Sequence, residues 1–242
     1  MRFDWLRFHP RLAGARSSDR LAASLGALAA ILIVALTSAA LLASLTPIWL
    51  VAPIGASAVL VFAVPASPLA QPWPVIGGNI LSALAGVVVA NSATSHELAA
   101  ALAVGLAIAV MSMARCLHPP GGAAALTAVI GGPAVHALGW NFPILAVGLN
   151  SILLVAAGIA FHRFSGHSYP HRAIPASGNF QSIDRRSLDA ADVEAVLDEL
   201  GESFDIDIDD LAVIVRAVER RAATREQLLG ETGQRSYISR AA

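Results

Sequence analysis

Cysteine is nearly absent: Cys116 is the only one in 242 residues. That excludes an internal disulfide framework and a multi-cysteine zinc or iron–sulfur site. Lysine is missing altogether, so all sixteen basic residues are Arg. Charge of either sign is scarce, at 14% of residues, where a soluble domain carries roughly a quarter. Between Leu21 and His162 the only formal charges are Glu97 and Arg115. A soluble body of that length needs a charged surface, so this stretch is read as lying in a lipid bilayer. A net charge of −1 without a basic cluster argues against a nucleic-acid partner. No nucleophile elbow, phosphate loop or paired metal-ligand motif is present, so neither an enzyme nor a metal- or cofactor-dependent protein is expected.

What the chain does contain is apolar sequence in blocks. Residues 1–20 form a basic segment with five Arg and two Asp. The run Leu21–Leu45 is too long for a signal-peptide core and long enough to cross a bilayer. Further apolar stretches follow at Ile48–Val64, Val75–Ala90, Leu98–Ala114, Pro119–Ile130 and Phe142–Phe161. Ala, Leu and Gly dominate without strict alternation, which favours helices over strands. The expectation is an all-α, polytopic helix bundle of about six segments over residues 21–163. A linker over 164–186 leads to an acidic cytosolic helical hairpin over 187–229, joined around Gly201, and a tail over 230–242. The acidic run Asp205–Asp210 reads as helix capping rather than a calcium loop, because Asp210 and Arg216 stand where Gly and Glu would be needed. His96-Glu97 reads as a solvated loop.

Two stretches repeat. Pro53-Ile54-Gly55-Ala56-Ser57 aligns with Pro119-Pro120-Gly121-Gly122-Ala123, and Gly77-Gly78-Asn79 with Gly148-Leu149-Asn150. Each half then holds a long helix, a Pro/Gly-started segment and a third helix bearing an Asn. If every segment crosses, the halves are inverted and Arg115 lies inside; if the Pro/Gly segments are re-entrant, Arg115 lies outside. Helix starts at membrane depth, repeated in two halves, point to a transport site, since a helix N-terminus favours an anion. Arg115 and His118 are the ionisable residues closest to such a start, one offering a permanent charge and the other a cap or a proton. Pro53, Gly55, Ser57, Arg115, His118, Pro119, Pro120, Gly121, Gly122, Asn79 and Asn150 are therefore the candidate pathway residues.

His118-Pro119-Pro120-Gly121-Gly122-Ala123 resembles the signature of the HPP family of integral membrane proteins. Ala52–Leu60, Ser67–Pro72, Gly131–Ala134 and His136–Trp140 fit the same family in order, whereas Gly77-Gly78-Asn79 has Asn where the family usually has His. The resemblance implies a bundle of four or more membrane helices. It also implies a role known for a few relatives, which carry nitrite across plastid or cyanobacterial membranes. On this reading the protein is a transporter or channel for a small anion such as nitrite. Its expected setting is a bacterial inner membrane with both termini cytoplasmic, and its small-residue helix faces suggest a homo-oligomer. The alternative is a structural or regulatory membrane protein whose residues 187–229 bind a cytosolic partner.

Overall fold

The computed structural model describes residues 12–13, 17–92, 95–171, 195–197, 204–207, 211–219 and 221. The chain divides into two units, residues 15–175 with 202–204, and residues 1–14, 176–201 and 205–242. Among the described residues the first holds seven α-helices: α1 Ser17–Leu42, α2 Pro53–Ala63, α3 Asn79–Ala90, α4 His96–Met113, α5 Pro119–Ile130, α6 Pro133–Leu138 and α7 Leu149–Ser165. Turns of π-helix run directly into α3, at Pro74–Gly78, and into α7, at Phe142–Gly148. Both contain Pro near their start, and a proline that cannot donate to the preceding turn is one of the few local causes of such widening.

The helices bury small side chains and expose large ones. On α4 the buried positions are Ala99, Ala103, Ala107 and Met111, one turn apart, while Leu98, Leu102, Leu106 and Ile108 face outward. On α1, Ala23, Ala30, Val34 and Ser38 are buried and seven Leu and Ile side chains between Leu21 and Leu41 are exposed. Water would drive the opposite arrangement; lipid tails do not penalise outward leucines, and small inward residues let backbones approach. Three helical stretches are long and apolar enough to cross a membrane: Asp19–Leu42, His96–Met113 and Pro133–Ser165. Three further apolar helices, Pro53–Ala63, Pro74–Ala90 and Pro119–Ile130, are shorter. At 1.5 Å per residue α2 and α5 extend only about 16 and 18 Å, roughly half a hydrocarbon core.

Packing sorts the helices into two triads. α1, α2 and α7 surround a core that includes Val34, Ile54, Val61 and Leu154. α3, α4 and α5 surround a second, built from Ala85, Ala103, Ala107, Met111, Ala125 and Val129. The triads meet where α2 touches α5 and where α3 touches the turn before α7.

Several boundaries differ from the sequence reading. His96 and Glu97 are not in a loop: Ser95 caps α4 by accepting from Leu98 N–H at 3.4 Å, which places both in the first helical turn. Of the expected linker, Phe164 and Ser165 still belong to α7, and Gly166 ends that helix in a left-handed cap. In the second unit, helix is described at 195–197 and 211–219. Between them Phe204–Asp207 is a strand paired with Leu12–Ala13, not the acidic cap of a helix. Phe204-Asp205-Ile206-Asp207 alternates apolar and acidic residues, the period of a half-buried strand. Gly201 and most of the expected hairpin lie outside the described residues.

Candidate functional site

Several polar side chains of the apolar sequence are buried among the helices. Asn79, Ser57, His118, Asn150 and Ser151 are all fully buried, as are Ser38 and Ser82. A buried polar group costs free energy unless it is bonded, so the partners define what each residue does.

His118 occupies the N-cap position of α5, but its ring does not cap the helix. Its Nδ1 lies 2.9 Å from the carbonyl oxygen of Leu69 and its Nε2 lies 2.8 Å from Ser57 Oγ. A carbonyl can only accept, so Nδ1 carries the proton and, in the neutral ring, Nε2 accepts from the serine hydroxyl. Ser57 Oγ has a second acceptor in reach, the Pro53 carbonyl at 3.2 Å. Its own lone pair receives Asn79 Nδ2 at 3.1 Å, and that amide also reaches Ser151 Oγ at 3.2 Å. His118, Ser57, Asn79 and Ser151 thus form one connected chain from α5 through α2 and α3 to α7.

Two atoms beside this chain have no hydrogen-bond partner: Asn79 Oδ1 and Ser82 Oγ. They stand one turn apart on α3, Asn79 reaching α2 and α7 and Ser82 facing the first turn of α5. A Cβ added to Gly121 would lie 2.6 Å from Ser82 Oγ and 2.9 Å from the Met111 sulfur. Glycine at 121 therefore lets the first turn of α5 pack directly onto Ser82 of α3. Gly78 does the same for the helix start, since its added Cβ would meet the Cys116 carbonyl at 2.6 Å and His118 Cβ at 2.7 Å.

The remaining expected residues are placed differently. Pro53 and Pro120 are buried, whereas Pro119 and Gly55 are exposed and Gly122 is half-buried; neither Gly55 nor Gly122 has a neighbour that a Cβ would touch. The amides at both helix starts are already engaged: Ile54 and Gly55 N–H donate to Val51 and Ala52 carbonyls, and Gly121 N–H to His118. Asn150 is a clamp, donating to Ser38 Oγ at 2.8 Å and the Trp49 carbonyl at 3.0 Å while accepting from Val51 N–H at 3.0 Å. Arg115 is exposed and stands apart from the buried chain. It ends α4 at φ 53°, where Cys116 N–H reaches back to the Met111 carbonyl. That is the closure of a helix in which glycine is the usual residue.

Ser82, Ser151 and the Leu69 carbonyl are the members that sequence reasoning missed. Asn79, Ser82 and Gly86 share a helical face, so the spacing contained the signal for Ser82; the Leu69 carbonyl left none. A cleft of about 420 Å³ opens farther along α3, lined among others by Val87, Asn91, His96, Ala128 and His136. Among the described residues no group of three His, Cys, Asp or Glu side chains is gathered as a metal site.

Outward leucines, membrane-length helices and a buried polar chain between triads define a polytopic helical membrane protein. The family model described as HPP, transmembrane region, matches residues 13–170, and the chain belongs to that family. Two transmembrane proteins of Dictyostelium discoideum are similar to it. One is 37% identical over 126 residues, covering 50% of this chain and 44% of the relative. The other is 46% identical over 87 residues, covering 34% and 28%. The matches thus span less than half the length of these curated relatives. No solved structure matches the chain.

Proposed function

We propose that this protein carries a small anion across the membrane together with a proton, with nitrite as the first substrate to test. The observation that supports this most is that two fully buried polar atoms, Asn79 Oδ1 and Ser82 Oγ, have no hydrogen-bond partner beside the His118 chain. An oxyanion accepts from the serine hydroxyl, and an O–H accompanying it donates to the amide oxygen. Either atom left empty in hydrocarbon costs about 1–3 kcal/mol, which a transient ligand offsets.

His118 supplies the missing charge on this reading. When its Nε2 takes a proton, the Ser57 hydroxyl turns from the ring to the Pro53 carbonyl, and the protonated nitrogen donates to Ser57 Oγ. No hydrogen bond is lost, and because a buried unpaired charge is costly, the fully buried ring becomes a cation only when an anion balances it. Arg115, exposed on the turn before His118, draws anions to that mouth.

The proposed architecture is a pair of inverted repeats, α1–α3 and α4–α7, that exchange their third helices. In support, α3 packs with α4 and α5 while α7 packs with α1 and α2, and both third helices begin with a π-turn. All six segments then cross, the two Pro-started ones with helices of about half the core thickness and flanking chain for the remainder, their first turns adjoining the polar chain, and both termini face the cytoplasm of a bacterial cell.

Uptake into proteoliposomes tests the function. Nitrite, nitrate, formate and chloride are offered under an inward proton gradient, and uptake above that of empty vesicles is expected for at least one. Equal uptake in both for all four contradicts it. A purely structural role has its best support in Asn150, whose partners are all met by the fold itself.

A further inference from the structure

His118 owes its proton position to one carbonyl, that of Leu69, and this carbonyl belongs to the short turn Pro68–Ala70. The turn is tied down from a distance. After α7 the chain folds back, and Tyr169, buried against Gly158 of α7, donates its hydroxyl to the Ala70 carbonyl at 2.9 Å. Two residues later the His171 N–H donates to Gln71 Oε1 at 2.8 Å. Gln71 in turn spends its Nε2 on the Pro65 and Ser67 carbonyls, at 2.9 and 2.8 Å. Three segments far apart in sequence therefore meet at one turn: 65–71, 118, and 169–171.

We infer that Tyr169 and Gln71 are positioning residues for His118, a strap that holds the Leu69 carbonyl in place and so keeps the imidazole proton on Nδ1. Successive peptide planes are rigid, so fixing the Ala70 carbonyl fixes its neighbour to within the freedom of one φ/ψ pair. With the proton on Nδ1, Nε2 accepts from the Ser57 hydroxyl, whereas the Nε2–H tautomer would set a bare Nδ1 lone pair against the Leu69 carbonyl oxygen. Burial also pushes the Tyr169 phenol above its ordinary range, so it remains a donor at physiological pH. This inference deepens the proposed transport reading, yet its first readout does not depend on transport.

The test is ¹⁵N-histidine solid-state NMR on the full chain in bilayers, with the His118 signals assigned by their loss in His118→Asn. Wild type should show the neutral Nδ1–H form alone. Tyr169→Phe, which removes one hydroxyl and keeps the ring, should bring in the Nε2–H form to at least a tenth of the signal. Gln71→Met should do the same by a separate bond, which guards against a folding defect in either variant. Unchanged His118 signals in both folded variants would overturn the inference. If wild type also moves an anion, both variants should flatten the pH dependence of that flux. Altered tautomers with no wild-type flux would support the strap and contradict transport; normal flux with unaltered tautomers would do the reverse.

Discussion

At the residue scale, Arg115 shows how a charge in apolar sequence attracts more attention than its geometry supports. Its formal charge made it prominent, but the helix needs a left-handed residue there and the arginine stands exposed. A non-glycine residue in that conformation costs about 1–2 kcal/mol, so Arg115→Gly separates charge from strain. The expected outcome is a gain of about 1 kcal/mol in unfolding free energy, read by thermal unfolding in detergent, together with a several-fold fall in anion flux. Full flux in the stabilised variant would remove Arg115 from the pathway. His118 was legible from its motif, though its bonds to Leu69 and Ser57 were not, because they join residues 49 and 61 positions away. Ser82 was less visible still, as one serine in an apolar helix matters only once Gly121 is opposite it.

At the element scale, the helix starts at Pro53 and Pro119 were legible to the residue, since proline fixes φ and has no N–H to lose in a first turn. The π-turns at Pro74–Gly78 and Phe142–Gly148 were not, because their widening depends on the neighbouring helix as well as on proline. The strand at Phe204–Asp207 was legible in its alternation but was outweighed by the acidic residues that suggest a cap. The α3–α5 contact supports a direct prediction. A Cβ on Gly86 would collide with the Ala125 carbonyl and stand 2.8 Å from Ala128 Cβ. Gly86→Val should therefore separate the two helices and cost about 1–3 kcal/mol, measured as a lower unfolding temperature. Gly105→Ala, on the open face of α4 where a Cβ meets nothing within 4 Å, should not lower it, because alanine is the better helix former. Equal unfolding temperatures for wild type and Gly86→Val would contradict the close packing of α3 on α5.

At the scale of the whole molecule, class was the most legible property, because 142 residues with two charges have few alternatives to a bilayer. Topology was the least legible, since one arginine between α4 and α5 is the main charge that distinguishes the arrangements. Single cysteines at the exposed positions Arg115 and Ala137, placed in a Cys116→Ser background, address it. Crossing by α5 requires that an impermeant thiol reagent label the two from opposite sides; labelling from one side would make α5 re-entrant. The central claim is that the buried chain His118–Ser57–Asn79 with Ser82 is where the anion and proton pass. Its most direct test is nitrite-driven proton uptake in proteoliposomes of wild type and Ser82→Ala, a variant that removes one unpartnered oxygen and leaves every hydrogen bond of the chain in place. The expected result is coupled uptake in wild type, reduced at least fivefold in Ser82→Ala with an unfolding temperature no lower than that of wild type, since the hydroxyl removed had no partner, and wild-type uptake in that variant would contradict the claim.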